Sequence, residues 1–400
     1  MGFLYSESSS LNVVFSELLY YNIKNKLLFA PKGYPSGATI YVMKKGVCMG
    51  NFSFKDEQEA VFLEQLESQI IRLPKFVQDY IESSRDYLSV STLLQYTYDF
   101  VDFFTFLSSR IEKYKDKPIP EYTLVDMMQL SCEDMDECMK WYKHPDKDVF
   151  RKPRTINRFL STLSSLFTFY VKRRKLADNP VSAVRRPAVK RKEVNRLYEG
   201  EKSQFLSAVM NGTGLTKRQL PYHERQWLRD YTIARVFLFT GIRVSELVGL
   251  DISDVNLREH SLRVVRKGGN IERVYLDDET DLILREYLAE REEMELTDDE
   301  TALFISRKKQ RIGVRAVEKL IKKYQQAGLP SHPNGLTPHR LRATFATDLY
   351  SATGDIYRTS KAMGHKSIAT TTIYAEVSDK QKKEGRNILL SSYRDTEESD

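Results

Sequence analysis

Arg243, Lys267, His339, Arg342, His365 and Tyr374 bring two guanidinium groups, an amine, two imidazoles and a phenol into the C-terminal part of one chain. Breaking a phosphodiester without metal or ATP takes three things: a nucleophile that keeps the bond covalently, positive charge on the non-bridging oxygens, and an acid for the leaving 5′ oxygen. Tyr374 is the candidate nucleophile. Its phenol, with an ordinary pKa of about 10, has to lose its proton during attack or lie beside cations that favour the phenolate. Arg243 and Arg342 are the candidate clamp, because a guanidinium fork matches two phosphate oxygens and two forks hold both non-bridging atoms of a pentavalent transition state. Such chemistry calls for no cofactor and no metal.

The flanking sequence indicates what positions these groups. Arg243 follows a Thr240-Gly241 break after the apolar segment ARVFLFT, at the start of a helix whose dipole favours an anion. Glu246 shares its face and is read as a support for the site or the helix. Thr337-Pro338 predicts an N-cap followed by a first-turn proline, so that His339 and Arg342, three apart, project from one face. The stretch SLRVVRKGGNIERVYL alternates as a β-hairpin about Gly268-Gly269, with Lys267 at its turn. Tyr374 is one of 23 tyrosines, and its distinction is the context GHKSIATTTIYAEV, which begins one residue before His365. His144, His223, His260 and His332 are read as structural.

Four stretches, LFTGIRVSELVGL, RKGGNIERV, TPHRLRATFATDLY and MGHKSIATTTIYAEV, resemble in order and spacing the tyrosine recombinase (lambda integrase-like) family. The resemblance spans roughly residues 73–385 and is most specific over 240–376. It implies a mainly α, multidomain protein: a helical core-binding domain, an α-rich catalytic domain with a small β-hairpin sheet, and a small α+β module ahead of them. It implies a 3′-phosphotyrosyl intermediate on Tyr374, with Lys267 rather than Arg266 as the acid for the 5′ oxygen. His339 would assist proton transfer at Tyr374, and His365 would donate a hydrogen bond to a phosphate oxygen. One position departs from the pattern: many members carry histidine directly after the second arginine, where this chain has Ala343. The implied activity is site-specific recombination of double-stranded DNA at inverted core sites, by a dimer on each site and a tetramer in the synapse, with DNA-bending accessory proteins as further partners. Integration or excision of a mobile element is the expected task. Xer-like chromosome or plasmid dimer resolution, type IB topoisomerase action, a catalytically silent DNA-binding accessory protein or repressor, and a scaffold that binds nucleic acid only through the basic run 151–196 are the alternatives.

The composition agrees with a nucleic-acid partner: 400 residues, a formal charge of +7 and a pI of about 9.0. Cys48, Cys132 and Cys138 form neither a disulfide framework nor a zinc spacing, and no long apolar run or basic leader is present, so a cytoplasmic protein without a membrane span is expected. Residues 1–72, punctuated by Gly and Pro, suggest two or three short strands and then a helix, an arm-type or accessory module. From 73 to 188 the periodicity is helical, with Thr155 as an N-cap candidate and the Phe100, Phe103, Phe104, Phe106, Phe159, Phe167 and Phe169 stripes as core. Between 151 and 200 there are fourteen Lys or Arg against three acidic residues. Of these, Lys172, Arg173, Arg174, Lys175, Arg185, Arg186, Lys190, Arg191 and Lys192 are the candidate phosphate-backbone contacts, with 189–196 as a basic linker. The catalytic domain is placed at 197–385. A tail over 386–400 follows, and Ile388, Leu389 and Leu390 within KQKKEGRNILLSSY are expected to dock on a neighbouring protomer.

Overall fold

The computed structural model describes residues 27–28, 41–42, 54–145, 148–189, 196–266, 269–297, 300–332, 335–365 and 367–375. It divides into two compact units, Met1–Lys190 and Arg191–Asp400, and the division falls inside the basic stretch.

In the first unit, β1 (Leu27–Leu28) pairs antiparallel with β2 (Tyr41–Val42). A bundle follows, made of α1 (Phe54–Ile70), α2 (Lys75–Ser84), α3 (Val90–Arg110), α4 (Leu124–Met128), α5 (Cys132–Lys143) and α6 (Pro153–Lys172). The α1 helix packs along α3, so the helical layer starts ahead of residue 73. Ser89 caps α3 by accepting from the Thr92 amide, and Ser131 with Asp134 forms a capping box on α5. Thr155 is not the cap of α6. The helix begins two residues earlier at Pro153, because a proline lacks the N–H that the first turn leaves unpaired, and this makes Pro153 the natural first residue. Six of the seven phenylalanines form the core, all at most 1 % exposed. Each contributes on the order of 2–3 kcal/mol of burial. Phe169 is only half-buried, and the Arg173 guanidinium lies 3.5 Å over its ring.

The second unit is built round α9 (Trp227–Thr240), preceded by α7 (Glu199–Asn211) and α8 (Leu220–Glu224). α9 is buried on nearly every side, between α7, α11 (Asp278–Glu292) and α13 (Pro338–Thr353). Its charged residues are therefore buried and paired, Arg229 with Asp230 and Arg235 with Asp277, because a helix enclosed nearly all round has no solvent face on which to leave them. Gly241 ends it in the left-handed region at φ +63°, where a Cβ would stand 2.2 Å from Cδ1 of Phe345. The short α10 (Val244–Val248) then starts directly after Arg243.

A three-stranded antiparallel sheet follows, β3 (Val255–Asn256), β4 (Ser261–Val265) and β5 (Ile271–Tyr275), in that order. Val265 pairs with Ile271, and Gly269 takes φ +87° in the connecting loop, as the Gly-Gly reading anticipates; Lys267 and Gly268 lie outside the described residues. α12 (Val314–Gly328) leads to α13, whose N-cap and N1 are Thr337 and Pro338, and α14 (Ile356–Ala362) and α15 (Thr372–Ala375) complete the unit. The tail and its Ile388, Leu389 and Leu390 lie outside the described residues. No helix among the described residues is long and apolar enough to cross a membrane. The fold is thus mainly α, with a two-stranded and a three-stranded antiparallel sheet among the described residues.

Candidate active site

Four separate elements deliver the site. Arg243 comes from the start of α10, Arg342 and His339 from the first turns of α13, His365 from the loop after α14, and Tyr374 from α15. Arg342 sits on the inner side of its helix and is 2 % exposed, while His339, one turn earlier, keeps an exposed edge. Tyr374 is 3 % exposed and packs with Ala343, Ala346 and Met363, so the alanine after the second arginine makes room for the phenol against α13.

The loop that carries His365 also gathers the arginines. Gly364, at φ +59°, closes α14 with a Schellman turn: the His365 amide donates to the Ser360 carbonyl at 3.1 Å and the Gly364 amide to that of Lys361 at 2.8 Å. At this turn three successive carbonyls have no intrahelical partner, and each accepts from a different guanidinium. The Ala362 oxygen accepts from Arg266 at 3.2 Å, the Met363 oxygen from Arg342, and the Gly364 oxygen from Arg243 at 3.4 Å. Arg342 also donates to the Gly241 carbonyl, tying the end of α9 to the end of α14.

Glu246 is the carboxylate that braces this group. It accepts from the Arg243 amide at 2.8 Å, from the Arg243 guanidinium at 2.7 Å and from Arg266 at 2.9 Å. Glu246 thus forms a capping box on α10 and bridges two arginines. Arg266 is the residue that the spacing argument passes over. It is 4 % exposed and pairs with Glu246 and, across the hairpin, with Glu272 at 2.9 Å. The signal was present in the strand alternation, because Leu262 and Val264 are both fully buried and Arg266 continues their face. A Cβ on Gly364 would lie 2.8 Å from Nε of Arg266, so that glycine is needed for space as well as for its turn.

The electrostatics are those of a site short of negative charge. Burial, then the charges of Arg243 and Arg266, push Arg342 down to about 10. Burial, then Arg342, Arg243, Arg266 and His339, hold His365 at about 4, and burial with Arg342 and Arg243 lowers His339. Tyr374 is raised by burial, and the two arginines pull it back. Three crowded guanidiniums against two carboxylates, Glu246 and the more exposed Glu272, leave a net positive charge that suits an anion, whose arrival would raise Arg342, His365 and His339 back toward their ordinary values. His365 Nδ1 is 2.9 Å from Oγ1 of Thr371, and its ring lies near-parallel to that of Tyr374 at 6.5 Å.

The remaining candidates lie elsewhere. Lys172, Arg173, Arg174, Lys175, Arg185 and Arg186 are all exposed at and beyond the end of α6, with Arg186 donating to the Asn157 carbonyl and Ser161 hydroxyl; Lys190, Arg191 and Lys192 lie outside the described residues. His223 is buried against the Tyr324 hydroxyl at 3.0 Å, and His260 pairs with Asp281 at 2.9 Å. Among the described residues no cluster of His, Cys, Asp or Glu is arranged to hold a metal ion.

Comparison with known proteins places the chain in one family. Residues 214–381 match the model of the phage integrase family. The chain is 31% identical to tyrosine recombinase XerC of Vibrio cholerae over 56% of its own length and 68% of the relative's. It is 29% identical to XerC of Caldanaerobacter subterraneus over 82% and 89% of the two chains. Among solved structures, XerH site-specific recombinase bound to palindromic difH substrate superimposes with a TM-score of 0.57 at 19% identity, covering 86% and 92% of the chains. A Tn1549 transposon integrase bound to transposon right end DNA gives 0.57 at 17%, covering 82% and 99%, and shares the fold. The chain belongs to the tyrosine recombinase family, and it is a site-specific recombinase.

Proposed function

We propose that the chain cleaves double-stranded DNA through a 3′-phosphotyrosyl bond on Tyr374, in the integration or excision of a mobile element. The observation that carries the chemistry is the buried Tyr374 phenol held within the field of Arg342 and Arg243, where three guanidiniums meet only two carboxylates, Glu246 and Glu272. The Tyr374 oxygen attacks phosphorus and the 5′ oxygen departs. Arg243 and Arg342 hold the non-bridging oxygens, and His365 adds a hydrogen bond to one of them. His339, neutral at physiological pH, takes the phenol proton; Lys267 supplies a proton to the 5′ oxygen. Rejoining is the same step reversed by an incoming 5′-hydroxyl, so no external energy source is consumed. The exposed basic residues from Lys172 to Arg186 follow the phosphate backbone, with a dimer on each site and a tetramer in the synapse.

The strand pair β1–β2 ahead of the helical bundle supports a module for a second class of DNA site, which suits integration. A second reading, resolution of chromosome dimers, is supported by the relatives named XerC and XerS, the latter from Streptococcus thermophilus and matched over 97% of their length. One experiment tests both levels. Wild type and Tyr374→Phe are mixed, without metal, with nicked suicide DNA carrying either the ends of the adjoining element or a chromosomal terminus site. An SDS-resistant adduct made by wild type and lost in the variant supports the phosphotyrosyl chemistry, and the DNA that yields it decides the task. Tight binding to these DNAs with no adduct would return the chain to the silent accessory reading.

A further inference from the structure

We propose that the Thr371 hydroxyl donates its proton to Nδ1 of His365 and thereby fixes the imidazole as the Nε2–H tautomer, the form that can donate to a phosphate. Thr371 is a positioning residue on this view, acting through His365. The catalytic consequence rests on the reading of the site given above; the tautomer itself does not.

The argument begins with hydrogen-bond satisfaction. Thr371 is 0 % exposed, so its hydroxyl has no bulk solvent to turn to. Its amide donates to the Ile368 carbonyl at 2.7 Å and its carbonyl accepts from the Tyr374 amide at 3.0 Å, so its backbone is fully engaged. Its hydroxyl meets Nδ1 of His365 at 2.9 Å, and among the described residues it has no other partner. The neighbouring threonines differ: the Thr370 hydroxyl donates to the Ser367 carbonyl and that of Thr372 to the Ala369 carbonyl. Two arrangements of the Thr371–His365 contact are open. If Nδ1 carried the proton and donated, the threonine proton would be buried with no acceptor. If the hydroxyl donates, both atoms are satisfied and the ring proton goes to Nε2.

The tautomer matters because the ring is neutral. Burial and the surrounding arginines hold His365 at about 4, so near pH 7 it carries one proton on one nitrogen. A neutral ring protonated on Nδ1 would present a lone pair to a phosphate oxygen; protonated on Nε2, it presents a donor. Thr371 is also tied to the nucleophile, through the Tyr374 amide on its carbonyl, and it keeps ring and phenol in one turn of chain.

The test compares Thr371→Val, which keeps the shape and removes the hydroxyl, with Thr371→Ser, which keeps the hydroxyl. The tautomer is read on the free full-length protein by long-range ¹⁵N–¹H correlation of labelled histidines, with His365→Gln identifying the signal. The expected result is a pure Nε2–H pattern in wild type and in Thr371→Ser, and a mixture in Thr371→Val. Adduct formation on nicked DNA should slow by about 10- to 100-fold in the valine variant, by analogy with the loss of a group that orients a metal-ligating histidine. DNA affinity should be unchanged, and serine should restore the rate to within a few-fold. A wild-type Nδ1–H pattern overturns the proposal even if Thr371→Val does not fold, and so does a valine variant with unaltered tautomer and rate. If wild type forms no adduct, the Tyr374 reading fails, while the spectra still decide the tautomer.

Discussion

Replacing Arg266 by methionine separates a buried ionic brace from ordinary surface charge. The methionine fills most of the same volume but removes the donors to Glu246, Glu272 and the Ala362 carbonyl. Glu246 has a side chain only 3% exposed and would keep one partner, Arg243. Removing one member of a buried pair costs about 3–5 kcal/mol, and the surviving Arg243 contact places the loss near about 3 kcal/mol. For a unit of this size that corresponds to a fall in melting temperature of roughly 6–12 °C. Glu272 gives the contrast, since its side chain is 41% exposed and screened by water. Glu272→Gln should cost less than about 1 kcal/mol. The assay is urea unfolding of the full chain followed by the adduct rate on nicked DNA, where Arg266→Met should slow cleavage because Arg243 loses the far side of its brace. If Arg266→Met unfolded within about 0.5 kcal/mol of wild type, or if Glu272→Gln matched its loss, the brace as described would be refuted.

Gly241→Ala should lose about 2–4 kcal/mol, from a left-handed φ and a Cβ 2.2 Å from Phe345, and trimming the ring in Gly241→Ala/Phe345→Leu should recover part of it in thermal unfolding. Arg342→Lys should slow adduct formation by about 10²- to 10³-fold, because an ammonium cannot span the Gly241 and Met363 carbonyls and still face a phosphate; a rate within tenfold of wild type would count against the clamp. His365 has a folded-state value of about 4, below its unfolded one, so the unfolded chain binds more protons between about pH 4 and 6.5. Its contribution to stability is therefore present above that window and lost on acidification through it. The difference in melting temperature between wild type and His365→Gln should shrink as pH falls, and a constant difference would contradict the shift.

The sequence conveyed Arg243, His339, Arg342 and His365 partly because each stands near a local punctuation mark, whereas Tyr374 was legible only through the GHKSIATTTIYAEV context. Gly241 ends one helix, Thr337-Pro338 opens another, and Gly364 closes a third. Such marks act over a few residues and survive in any tertiary setting. Arg266 was passed over because two of its three partners are far away in sequence, Glu246 twenty residues before it and the Ala362 carbonyl ninety-six after it, and the third, Glu272, lies across the hairpin. Only the inward phase of β4 hinted at it. Thr371 is one of three consecutive threonines, and composition cannot say which hydroxyl turns toward the ring. Thr155 misled for the opposite reason: it is a good cap residue, but Pro153 lies two places closer to the true helix start.

The three carbonyls at the end of α14 have a consequence for how the site tolerates change. They belong to the main chain, so no side-chain replacement can delete them, and almost any sequence that ends its helix with the same turn will present the same three oxygens. Each arginine is individually replaceable on paper, yet all three are referenced to one short piece of backbone. The vulnerability is collective rather than local. A change that shifts Gly364 by an ångström moves Arg243, Arg266 and Arg342 in concert, and a screen that substitutes only catalytic side chains would never detect it.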